Sequence, residues 1–381
     1  MWCGKMTTRD GRARAELDVT TTRAEPQPAD FADVRTTNLA VVLRHLRTHG
    51  PSSRAAIAAT TGLTKATVSS LAGDLIGHRL LRETGLSGNR IGRPATVLAL
   101  DGTAYASIGI QVADGQLSAL ALDYSGERLL LWHRALDGRR ETSEIVALAQ
   151  RAASRVRQQG RHLLGLTIAA SPPSEELRSA VAGSLRQKDL VITVAQHAAL
   201  AAVAEHRHGG HLAADLAYVS GATSLEAGLI LEGRLLRGGP LGRFTLGPPG
   251  TPTLQDHAGI EPLIRRALPD FDPEALADPG PAVEQVAIRA RAGDAVATKA
   301  LEHTAGYLGQ GLAVLTNLVS PEVIVLGDHY ATLAEWLIPG AERFTTARLT
   351  ASTLGLHAAA LGGAVSHLDH VDTGRIPRPV D

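Results

Sequence analysis

The stretch Ser53-Arg-Ala-Ala-Ile-Ala-Ala-Thr-Thr-Gly-Leu-Thr-Lys-Ala-Thr-Val-Ser-Ser-Leu71 constrains this chain more than any other. It predicts two short helices joined by a tight turn at Thr61-Gly62-Leu63. Ile57, Ala58, Leu63, Val68 and Leu71 fall on the inward face, while the second helix carries short polar side chains. Ser53 and Thr64 are placed to cap the two helix starts, accepting from backbone N–H groups that have no partner within the helix. Gly62 supplies the positive φ of the turn without a Cβ penalty. Such a unit fits a helix-turn-helix whose second helix enters the DNA major groove. Any helical hairpin could carry the same pattern, so the flanks have to separate the two readings.

The flanks favour DNA. Asn38–His49 predicts a preceding helix with Leu39, Val42, Leu43 and Leu46 on one face. Behind the hairpin, Arg79–Arg82 leads through the glycine-containing segment 86–94 to Thr96–Leu100, a strand-turn-strand wing. The whole chain is formally neutral, with 38 basic and 38 acidic residues. Yet nine Lys and Arg within 35–100 face only Asp74 and Glu83, a segment charge of +7 that leaves −7 on the rest. A basic module on an acidic body is the electrostatic footprint of a nucleic-acid binder. Ser53, Arg54, Thr64, Lys65, Thr67, Ser69 and Ser70 are the expected contacts, with Arg90 and Arg93 reaching backbone or minor groove from the wing.

The 381 residues allow two or three domains with substantial cores. One cysteine, Cys3, excludes a disulfide framework and any multi-cysteine zinc site. No apolar run reaches the roughly 18 residues that would mark a membrane span, and the N-terminus lacks a signal-peptide core, so a cytoplasmic location is expected. Residues 1–34 mix Thr, Arg, Asp, Glu and Pro without periodicity and are expected to be a disordered leader. The winged helix is placed at 35–100, a first lobe at 101–196 with 356–381, and a second lobe at 197–355.

Within the lobes, strands are expected at Tyr105–Val112, Gln116–Asp123 and Arg128–Ala135, then helix, strand, helix, strand. A second strand trio at Asp215–Ser220, Ala227–Leu231 and Arg234–Arg237 is followed by helices to Val319, a strand at Val323–Leu326 and helices at Leu333–Ala347 and Ala358–Leu368. This is an α/β chain. Two copies of one strand-rich start imply a duplicated lobe, the two-lobed ribonuclease-H-like (actin-like ATPase) sugar-kinase fold, behind an N-terminal winged helix-turn-helix.

With these elements in place, the chain resembles the transcriptional regulators of the ROK family (repressors, open reading frames and sugar kinases) over roughly 36–370. The residues that carry the resemblance are Gly92-Arg93-Pro94 at the wing, Asp215-Leu-Ala-Tyr-Val-Ser220, Ala227–Gly238 and Leu308–Gly327. The resemblance implies ATP and sugar sites, and this sequence departs from both. The first phosphate loop reads Gln111-Val-Ala-Asp-Gly115, an amide in place of the leading acid. In the second, Ala222, Ser224 and Glu226 crowd a backbone that needs glycine near phosphate, and Glu226 would repel it. The family's catalytic Asp falls on Gln196, which cannot take a proton from a sugar hydroxyl. Its Glu-x-x-His falls on Arg243–Leu246, its cysteine cluster near Gly250–Thr253, and its next sugar-binding Glu on Gln255. No catalytic residue, cofactor or metal is therefore expected.

Arg243 either pairs an anionic ligand or bridges to Glu226 or another acid, with the bridge favoured. His206, His208 and His211 do not share a helical face and are expected to be solvated rather than metal-bound. What remains is a DNA-binding transcriptional regulator, a repressor acting on a double-stranded operator as a homodimer or homotetramer, with no membrane partner. Its effector is expected to be atypical or absent. Were the pocket functional, Gln196, His197, Arg243, Gln255 and His257 would hold a sugar or other metabolite and make this a regulator of carbohydrate metabolism. A sugar kinase with an added DNA module is the rival enzyme class.

Overall fold

A computed structural model describes residues 31–86, 96–113, 115–136, 141–187, 189–211, 213–245, 247–248, 250–272 and 276–377. The N-terminal module runs α1 (Phe31–His49), β1 (Ser52–Ser53), α2 (Arg54–Thr61), α3 (Lys65–Gly77), β2 (Leu81–Leu86) and β3 (Thr96–Leu100). Its three strands form an antiparallel sheet in the order β1-β3-β2. Leu43, Ile57, Val68, Leu75 and Leu98 are completely buried and knit the three helices to that sheet. This is a winged helix. Helix α1 begins at Phe31, within the 1–34 segment expected to be a disordered leader, and the rest of that segment lies outside the described residues. The wing tip, with Arg90 and Arg93, lies outside the described residues.

The first lobe contains β4 (Tyr105–Ala113), β5 (Gln116–Asp123), β6 (Arg128–Ala135), α4 (Glu141–Gln158), β7 (His162–Ala169), α5 (Glu175–Leu185) and β8 (Val191–Ala195). After α6 (His197–His208), the second lobe contains β9 (Leu216–Gly221), β10 (Leu225–Leu231) and β11 (Arg234–Gly239). Its helices are α7 (Leu254–Ala258), α8 (Ile260–Ala267), α9 (Gly280–Arg291) and α10 (Ala295–Val319). The chain closes with β12 (Val323–Asp328), α11 (His329–Thr332), α12 (Ala334–Ala341), β13 (Arg348–Ala351) and α13 (Ala358–Asp372).

Both sheets have five strands and one plan. The orders β6-β5-β4-β7-β8 and β11-β10-β9-β12-β13 are the same arrangement repeated, with three antiparallel strands followed by two parallel ones. The single helix expected over Leu333–Ala347 is instead α12 followed by a short 3-10 turn at Glu342–Phe344, after which β13 pairs in parallel with β12. Pro339 sits inside α12, and the helix stops two residues later. A proline there removes one backbone donor and crowds the preceding turn.

Two helices fill the space between the sheets. α4 and α5 cover the outer face of the first sheet, and α7, α8, α9 and α10 cover that of the second. α13 lies on the inner face of the first, α6 on the inner face of the second, and the two pack on each other. That contact depends on glycine: a Cβ on Gly362 would stand 1.8 Å from the Leu200 carbonyl oxygen. α13 also reaches the winged helix. Val365, Leu368 and Val371 share one core with Leu39, Val42, Leu43 and Leu46 of α1. Beside this core, Arg47 binds Asp372 through Nε at 2.8 Å and donates to the Tyr124 carbonyl oxygen at 2.8 Å. The helix that lines the interlobe space therefore also seats the N-terminal module.

Candidate nucleic-acid interface and interlobe cleft

The local chemistry of the helix-turn-helix is as its sequence requires. The Ser53 hydroxyl accepts from Ala56 N at 3.2 Å, and Thr64 Oγ1 accepts from Thr67 N at 3.1 Å, so each helix starts with a satisfied backbone donor. Gly62 ends α2 at φ +76°. Lys65, Ser69 and Ser70 are exposed on one face of α3, while Thr67 is half-buried and bonded to the Thr64 hydroxyl at 2.9 Å. Among the described residues, Lys65 has no ion-pair partner. The charge count overstated the free basic surface. Arg35 pairs with Asp74, Arg54 with Glu83 at 2.7 Å, and Arg47 turns inward to Asp372. Part of the Arg54 guanidinium is thus engaged by Glu83.

Between the lobes, the β4–β5 and β9–β10 turns face a cavity of about 330 Å³ lined by Gly115, Ser171, His197, Ser220, Thr223 and Glu226. A buried polar network forms its wall. Asp328, at the end of β12, accepts from Ser220 Oγ at 2.6 Å and lies 3.2 Å from His197 Nε2. Burial by itself would raise the Asp328 carboxyl. The charge of His197 and the hydrogen bonds from His197 and Ser220 outweigh it and hold the group below its usual range. Asp328 takes φ +51°, ψ −130°, a costly backbone for a residue with a Cβ, and the network holds it there. Ser171 Oγ donates to Glu226 Oε2 at 2.9 Å and stands 3.4 Å from the His197 N–H.

The sequence singled out His197 but not Asp328 or Ser171. A signal for Asp328 was available, since it terminates a buried parallel strand, where α/β folds place their ligand crevices.

A neighbouring cavity of about 680 Å³ brings together Gln196, Arg243 and Gln255. Gln255 is structural there: its Nε2 donates to the Thr223 carbonyl at 3.0 Å, and its Oε1 accepts from Leu225 N at 2.7 Å, clamping the β9–β10 turn. Arg243 is exposed and forms no ion pair among the described residues, so the favoured bridge to Glu226 or another acid is absent. Glu226 points instead to Ser171. His257 does not join the pocket. Its ring stacks on Tyr307 at 3.8 Å, on the helical side of the second lobe. Helix α7 is five residues long, and its two-residue spacing turns His257 away from Gln255. Gln111, in place of the phosphate-loop acid, donates to the Leu356 carbonyl at 2.6 Å and accepts from Ala360 N at 3.2 Å, tying β4 to the start of α13. His206, His208 and His211 do not converge. Among the described residues no three His, Cys, Asp or Glu gather as a metal ion would require.

Residues 36–85 match the IclR helix-turn-helix domain. Over 90% of this chain and 97% of its own length, the xylose repressor of Bacillus subtilis is 23% identical. The DNA-binding transcriptional dual regulator NagC of Escherichia coli is 22% identical over 81% of this chain and 84% of its own. Among solved structures, a ROK family transcriptional regulator, a homologue of the Escherichia coli MLC protein, superposes with TM-score 0.70 at 19% identity, over 90% of this chain and 98% of that one. A ROK family glucokinase from Streptomyces griseus, in complex with glucose and AMPPNP, superposes with TM-score 0.57 at 21% identity, over 68% of this chain and 98% of that one. The class is thus a DNA-binding winged helix on a two-lobed sugar-kinase fold. Within that class, the chain has the architecture of a ROK family transcriptional regulator.

Proposed function

We propose that this protein is a DNA-binding transcriptional regulator, a repressor that acts as a homodimer and whose lobes bind a small polar effector without phosphorylating it. The observation that carries the reading is the capped α2–α3 unit, with Lys65, Ser69 and Ser70 exposed on α3 and the module seated on α13. Repression is supported by the names of the relatives, among them the xylose repressor of Bacillus subtilis. Absence of phosphotransfer is supported by Gln196 at the start of α6, which cannot act as a base, and by Gln111, both ends of whose amide are engaged by backbone. Paired winged helices on a globular body read paired half-sites, which supports the dimer.

The test is genomic mapping of bound sites, followed by gel shifts on the recovered operator. Lys65→Ala should weaken binding on every sequence and lower the slope of log affinity against log salt by about 0.9, one phosphate contact. Unchanged affinity and slope at low salt would sink the assignment.

A second reading, a regulator answering to sugars, is favoured by Gln196 and Arg243, which open on the larger cavity. Thermal-shift titration with neutral sugars separates it from a regulator that has no effector. ATP turnover that disappears on Gln196 substitution would instead restore the kinase.

A further inference from the structure

Among the described residues, Glu226 is a buried carboxyl group without a countercharge. It is 4% exposed, lies on β10 and lines the cavity of about 330 Å³ between the two hairpin turns. Its one hydrogen bond to another side chain among the described residues comes from the neutral Ser171 hydroxyl at 2.9 Å. Among the described residues, no Lys, Arg or His forms an ion pair with it, and no Lys or Arg lines the cavity. The imidazole nearest to it in the wall, His197, is paired with Asp328. The amino end of α6 reaches Glu226 only through the Ser171 hydroxyl, 3.4 Å from the His197 N–H, a relay too long and too neutral to stand for a cation.

Burying a carboxylate in this way is costly unless something pairs with it. A second carboxylate, Glu141, stands at the rim, and the adjoining cavity is lined by Asp278 and Glu284, again with no Lys or Arg among its described lining residues. Among the described lining residues of the two cavities, carboxylates and histidines are the only ionisable groups, which disfavours a phosphate.

We infer that the Glu226 carboxylate anchors a cationic ligand, a polar molecule of about hexose size carrying a protonated amine, in the cavity between the β4–β5 and β9–β10 turns. An ammonium group has three donors. Glu226 takes one, and the hydroxyls of the same wall supply acceptors for the others. The volume falls at the small end of ligand pockets. The inference rests on the regulator reading only in treating the ligand as an effector; binding is measured without DNA.

The full-length protein is titrated by calorimetry and thermal shift with glucosamine, 1,4-diaminobutane and methylamine as cations, glucose as the neutral counterpart and glucose 6-phosphate as the anion. At least one amine should bind, glucosamine about tenfold or more tighter than glucose, with glucose 6-phosphate weakest. Glu226→Gln keeps the shape and the bond from Ser171 and should bring glucosamine down to the level of glucose. Glu226→Asp, which keeps the charge but retracts it, should retain a reduced preference and serves if the amide variant does not fold. The inference is overturned if glucose or glucose 6-phosphate binds as tightly as glucosamine, if no amine binds at millimolar concentration, or if Glu226→Gln leaves the preference intact. Loss of operator binding alongside an intact amine preference would instead defeat the regulator reading and leave this site standing.

Discussion

Arg47 gives the sharpest test of how the winged helix is fixed to the body. Its guanidinium holds Asp372 through Nε at 2.8 Å and Nη2 at 3.1 Å, donates to the Tyr124 carbonyl at 2.8 Å and lies 5.0 Å from the centre of the Tyr124 ring. Arg47→Met keeps the aliphatic stem and removes every one of these contacts. Asp372 would be left with the Tyr124 hydroxyl at 2.8 Å. Breaking a fully buried pair costs about 3–5 kcal/mol. Here the side chains are 25% and 12% exposed, so water screens part of the pair and about 2 kcal/mol is the better figure. The second link between α13 and its neighbours, Arg207 to Asp369 at 3.0 Å, is more exposed and worth under about 1 kcal/mol.

Hydrogen exchange reads the docking of α1 directly. Peptides over 36–49 should exchange about 30-fold faster in Arg47→Met, while those from β12 stay protected. Combined with Asp372→Asn in a double-mutant cycle, the coupling should be about 1–2 kcal/mol. Unchanged exchange in α1, or equal loss of protection in β12, would refute the clamp.

Other outcomes follow from single positions. Gly62→Ala meets no atom within 4 Å but forces a Cβ into φ +76°, so a loss of about 1–2 kcal/mol, read by thermal melting, should come from backbone strain alone. Gly362→Ala drives a Cβ against the Leu200 carbonyl and should cost about 1–3 kcal/mol by forcing α6 from α13; a variant that melts like the parent would disprove the tight helix contact. His367 is depressed to about 4, first by burial, and its Nε2 is 2.9 Å from the Thr167 hydroxyl. Its neutral form is the one the fold accepts. Above the unfolded value of about 6.5 nothing is lost, and stability falls as the pH drops from there to about 4, by about 3 kcal/mol in all. His367→Gln should flatten that part of the urea-midpoint profile, and a profile parallel to the parent's would exclude the cause.

The helix-turn-helix was legible because each of its rules is local. Ser53 and Thr64 cap helices through bonds spanning three residues, Gly62 answers to its own φ, and the apolar spacing needs only one turn of helix. β13 was not. Arg348-Leu-Thr-Ala351 is a strand because β12 lies beside it, and neither its length nor its composition announces that. Arg243 and His257 failed for a related reason. Matching a family position says where a residue falls along the chain, whereas the aim of its side chain depends on a short helix and a turn whose geometry is set by packing. Asp328 escaped notice because the chain does not show that Ser220 and His197 converge on it from elements more than 100 positions away.

By itself, the sequence determined that this chain carries a basic winged helix on a duplicated α/β body. That is a matter of periodicity, caps and residue type, which need no partner across the fold. Only the tertiary structure decided that α13 joins the cleft to the DNA-reading module, that Arg47 is spent on that joint, and that Glu226 is buried with no countercharge among the described residues. Each of these is a relation between distant segments, fixed by which side chains share a low-dielectric interior and which are left unpaired in it.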